Sequence, residues 1–93
     1  MVSSSDAFEK FETWRKDKTP LRVIVIVGGK IEDVLLGRIG AIDPDASLVG
    51  IAIDATRTMP RFDVEDSGFS VEPSRVVATR NESNWIVFEE SLI

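Results

Sequence analysis

The chain has no cysteine, no histidine and no tyrosine among its 93 residues. The missing cysteine excludes a disulfide framework and any thiolate chemistry. The missing histidine removes the commonest general base, and with it the usual partner that activates a nucleophile. A pair of carboxylates could still perform acid–base chemistry, but no acid stands in an apolar stretch that would raise its pKa. A non-catalytic domain with no cofactor and no metal centre is therefore expected. No apolar run nears the roughly 20 residues that a bilayer-spanning helix needs, so no membrane association is expected. The opening Met1-Val-Ser-Ser-Ser-Asp6 lacks the basic and apolar regions of a secretory signal. With no cysteine to oxidise, a cytoplasmic location is the simplest expectation.

What is present suits one folded domain over residues 1–93. The 43% hydrophobic and 29% charged fractions are ordinary for a globular protein, and a second core would leave both halves too small to stand alone. The net charge of −5 is unevenly spread. Residues 1–30 carry six Lys or Arg against four Asp or Glu, whereas residues 31–93 carry five against twelve. An acidic domain repels phosphate, so nucleic acid could be held only by a local basic patch.

Residues 6–17 have the pattern of a helix. Asp6 and Glu9 are spaced as a capping box, and Ala7, Phe8, Phe11 and Trp14 recur at intervals of three and four. Lys16 and Lys18 suit the negative end of the helix dipole, and Pro20 forbids continuation. The aromatic stripe is expected to dock on the protein's own core.

Beyond Pro20 the period shortens to two. Residues 21–27 form an apolar, β-branched strand that ends at Gly28-Gly29, and a long loop is expected from Gly28 to Val34. Residues 34–42 form a second strand, with Gly37 and Gly40 inside it where a strand bends or another backbone comes close. Residues 48–54 form a third. Phe62, Val64, Phe69 and Val71 suggest a fourth, interrupted near Ser67-Gly68, and residues 75–79 and 85–88 complete the series. The expected fold is mainly β: an N-terminal helix before a small, strongly bent antiparallel barrel of five to six strands over residues 21–90.

The first strand is apolar on both faces, Val23, Val25 and Val27 against Ile24 and Ile26, and Trp85 and Val87 oppose Ile86 and Phe88 likewise. One face of a small antiparallel sheet is normally wet. Either the helix or a second copy must cover these outer faces. The last strand is also expected to be an edge that needs pairing, so a homo-oligomer is expected.

Helix, Thr19-Pro20, an apolar strand ending in Gly28-Gly29 and a glycine-bent strand together resemble the Sm-like proteins, most closely the Hfq-like layout. The most specific match is Gly37-Arg38-Ile39-Gly40-Ala41-Ile42-Asp43, which fits the Sm1 pattern of Gly, any residue, an aliphatic, three residues and Asp. Ala46, Ser47 and Leu48 then fall where the family has an apolar residue, Asn and an aliphatic. The resemblance covers residues 6–54 and, more loosely, 61–80. It implies a five-stranded bent barrel that assembles into a homo-oligomeric ring through its fourth and fifth strands, and the expected role is a binding or scaffold module with at most weak RNA binding. The RNA-contacting set would be Lys16, Lys18, Arg22, Arg38 and Arg75 with Asp43 and Ser47. Ser47 stands where the family has Asn, no histidine supplies the second motif, and no aromatic lies between Asp43 and Ser47 to stack on a base. The alternative is a protein-interaction module with no nucleic-acid role, using an acidic rim of Asp63, Glu65, Asp66, Glu89 and Glu90.

Other motifs have simpler readings. Gly28-Gly29-Lys30 lacks the longer glycine frame and following helix of a phosphate loop. Asp43 with Asp45, and Asp63 with Glu65 and Asp66, offer hard-cation oxygens, but Asp beside Pro is ordinary turn material. Arg57 and Arg61 have the arginine spacing of PilZ barrels without their second element. The C-terminal Glu90-Ser-Leu-Ile93 has the form of a PDZ ligand.

Overall fold

Most of the chain beyond Pro20 is drawn into one antiparallel sheet, and the helix before it covers the inner face. The computed structural model describes residues 4–91. The helix α1 spans Ser4–Asp17, followed by β1 Leu21–Val27, β2 Lys30–Asp43, β3 Leu48–Ala52, β4 Arg61–Asp63, β5 Gly68–Glu72, β6 Arg75–Thr79 and β7 Trp85–Glu90. No described helix is long and apolar enough to cross a membrane.

The helix begins two residues before the expected start, so Asp6 lies in its first turn and is not the cap. Its C-terminus is shaped by Lys18, whose left-handed φ of 53° lets the Thr19 N–H reach the Trp14 carbonyl at 3.1 Å. Pro20 therefore follows a chain that has already turned. Ala7, Phe8, Phe11 and Trp14 are all buried, as the stripe required.

The strand order is β4-β3-β2-β1-β7-β6-β5. The 14-residue β2 binds the two halves together: its first half pairs with β1 as far as Gly37, and from Arg38 it pairs with β3. A bulge between Ile39 and Ala41 accompanies the bend. A Cβ on Gly37 would sit 2.4 Å from the Ala52 carbonyl oxygen, so β3 approaches the backbone there closer than any side chain permits. The long loop expected from Gly28 is instead a two-residue turn, with Gly28 and Gly29 at φ 62° and 76°, and the strand resumes at Lys30.

Two expectations are corrected. The sheet has seven strands, not five or six, and it is open: β4 and β5 are its edges and do not pair with each other. The expected fourth strand breaks because Asp66 adopts a left-handed φ of 59°. Val64 N–H still bonds the Ser47 carbonyl, in register with the β3–β4 pairs, and the chain turns away only after it. What hydrogen bonds do not close, side chains do. Helix α1 packs against β2 and β5, and Phe11 stacks edge-on against Phe88, as does Phe62. The last strand, expected to be a free edge, lies inside the sheet between β1 and β6.

Candidate interaction surface

The residues singled out for RNA contact fall in three separate places. Lys16 and Lys18 are exposed at the helix C-terminus. Lys18 and Arg38 line a shallow cavity of about 260 Å³ with Leu36 and Asp54, and Arg38 bonds Asp54 at 3.2 Å. Arg22 and Arg75 stand on the outer face of the sheet. Arg22 Nε donates to Glu89 at 2.6 Å, and Arg75 donates to both Glu72 oxygens at 2.8 and 3.1 Å. The hydrogen bond to Glu72 holds the Arg75 guanidinium above its usual pKa.

Asp43 and Ser47 belong to the β2–β3 turn, five residues or about 16 Å of strand from Arg38. Asp43 accepts the Ala46 N–H at 3.2 Å, and Ser47 takes a left-handed φ of 53°. Their visible work is to build the turn. All three arginines of the set are thus already neutralised by a carboxylate.

The acidic rim is also divided. Glu89 faces outward toward Arg22, whereas Glu90 accepts a hydrogen bond from Trp14 Nε1 at 3.2 Å. Asp63 caps the following turn by accepting the Glu65 N–H. Among the described residues, no three acids converge as metal ligands would. The C-terminal Glu90-Ser-Leu-Ile93 ends outside the described residues. An open apolar groove of about 690 Å³ lies beside Met59, Leu35 and Phe62.

The outer face of the sheet is the most unusual surface. Alternation puts Leu21 and Val23 of β1 in the core and sends Arg22, Ile24 and Ile26 outward. Register then aligns outward neighbours: Ile24 pairs with Val34 on β2 and Val87 on β7, and Val87 pairs with Val77 on β6. Ile26 likewise pairs with Ile31 and Trp85. Ile31, Leu36 and Val34 are 65%, 55% and 47% exposed. The helix does not cover this face, because α1 lies on the other one, against Phe88. The two-faced apolar pattern of β1 and β7 signalled this patch, but the contributions of β2 and β6 were not visible until the register was known. No family model matches the chain, and no curated protein or solved structure is significantly similar to it.

Proposed function

We propose that this is a non-catalytic, cytoplasmic binding or scaffold domain that associates with a second copy of itself through the outer face of β2, β1, β7 and β6. One observation carries the reading: Ile31, Val34 and Leu36, about half exposed or more, join Ile24, Ile26, Val77, Trp85 and Val87 in one apolar surface that the helix does not cover. Contiguous apolar surface of this kind marks an interaction site. The Sm-like resemblance, on the Gly37 to Asp43 spacing, supports the scaffold part of the reading.

Sedimentation over a concentration series tests it. The wild-type chain is expected to shift from monomer to dimer, and Val87→Lys to stay monomeric with an unchanged far-UV spectrum. A wild-type chain that remains a monomer at millimolar concentration overturns the reading.

The resemblance offers RNA as the other ligand, but the carboxylate partners of Arg22, Arg38 and Arg75 favour the protein surface. Titration with single-stranded RNA in low salt is expected to show no binding at micromolar protein. Binding that weakens steeply with salt would restore the RNA reading.

A further inference from the structure

The outer face carries a charge pattern that selects how two copies can meet. At one level across the sheet, Leu36 on β2 is followed by Arg22 on β1, Glu89 on β7, Arg75 on β6 and Glu72 on β5. The next outward row is Val34, Ile24, Val87, Val77 and Ser70, and the one beyond it Ile31, Ile26, Trp85, Thr79 and Gly68. Large apolar groups therefore occupy β2, β1 and β7 and extend to Val77, while β5 offers only small or polar ones.

Building on the self-association proposed above, we infer that two copies pack these faces about a two-fold axis parallel to the strands and midway between β1 and β7. That axis lays β1 on the partner's β7 and β2 on the partner's β6. Ile24 meets the partner's Val87, Val34 the partner's Val77, and Ile26 the partner's Trp85. Arg22 faces the partner's Glu89 and Glu89 the partner's Arg22, which closes a square of four alternating charges. The aliphatic stem of the partner's Arg75 covers Leu36.

The competing placements are worse on the same side chains. An axis across the strands at this level stacks Arg22 on the partner's Arg22, and like charges brought together oppose association. An axis between β7 and β6 keeps opposite charges facing. It sets Ile24 on the partner's Ser70 and Ile26 on the partner's Gly68, however, and leaves Ile31, Val34 and Leu36 in water. Four strands about 4.8 Å apart, crossed by three rows, give a footprint of roughly 400 Å². That is about half of a standard interface's ~800 Å² per partner, so association is weak and concentration-dependent.

Charge exchange tests the pairing. Arg22→Glu alone gathers four carboxylates at the axis, and Glu89→Arg alone gathers four guanidiniums. Each is expected to weaken self-association on the order of 100-fold. An equimolar mixture of the two is expected to restore the dimer as a heterodimer, because Glu at 22 then faces Arg at 89 across the axis. The double variant R22E/E89R is expected to dimerise alone, which also shows that exchanging an exposed ion pair leaves the fold intact. If the wild type associates but the single variants do so equally well, or their mixture stays monomeric, this geometry is wrong while self-association stands. A monomeric wild type instead removes the reading on which it rests.

Discussion

Phe11→Ala is expected to destabilise the domain by about 3–5 kcal/mol, the range for deleting a buried aromatic side chain. Phe11 is fully buried and is the ring through which helix and sheet meet. Its centroid lies 5.0 Å from Phe88, 5.4 Å from Phe8 and 6.2 Å from Trp14. Deleting it leaves three rings facing a void, and the open sheet has no β4–β5 ladder to hold the inner face together without the helix. A domain of this size has a total stability of roughly 5–14 kcal/mol, so the loss is a large share of it. Urea unfolding measures the effect as a lower midpoint at unchanged slope. Phe11→Leu, which keeps most of the volume, is expected to cost less than about 1.5 kcal/mol. A change below about 1 kcal/mol for the alanine variant would mean that the helix is not a structural part of the core.

Gly37→Ala has the second largest expected effect, about 2–3 kcal/mol, from a single added methyl group. The position is where β2 leaves β1 and takes up β3: Gly37 pairs with Leu21, and Arg38 already pairs with Ala52. The new Cβ would lie 2.4 Å from the Ala52 carbonyl oxygen and 3.0 Å from Ile51 Cγ2. The first of these is backbone inside a ladder, so relief requires the two strands to separate at the bend. Gly28→Ala is the matching control. It meets nothing within 4 Å, and only its left-handed φ of 62° resists substitution, for about 1–2 kcal/mol. If thermal unfolding shows the two variants to be equally affected, close approach is not the reason for glycine at position 37.

Much of the backbone plan was legible along the chain. The stripe of Ala7, Phe8, Phe11 and Trp14 specified a helix and the face it buries, because the 3.6-residue period leaves one arrangement of those four groups. The β-branched run from Leu21 and the Gly28-Gly29 pair specified a strand and its turn. Gly37 and Gly40 marked the bend in β2. The break between β4 and β5 was visible as an interruption at Ser67-Gly68, but its consequence was not. Whether two half-strands continue one strand or become two edges depends on the backbone conformation at Asp66, where the chain turns after Val64 has bonded the Ser47 carbonyl. That bond reaches a turn 17 residues away in sequence.

The site followed the same division. Composition alone removed cysteine and histidine chemistry, and periodicity alone declared β1 and β7 apolar on both faces. Those are local properties, fixed by side-chain type and the alternation of a strand. Only the tertiary structure decided that the helix covers the inner face, that β7 lies between β1 and β6, and that Arg22, Arg38 and Arg75 each meet a carboxylate. It also brought Ile31, Val34, Leu36 and Val77 into one surface with Ile24, Trp85 and Val87. The reason is register: neighbours across a sheet are set by pairing between residues up to 69 positions apart, and a shift of one residue would turn every one of those side chains to the other face.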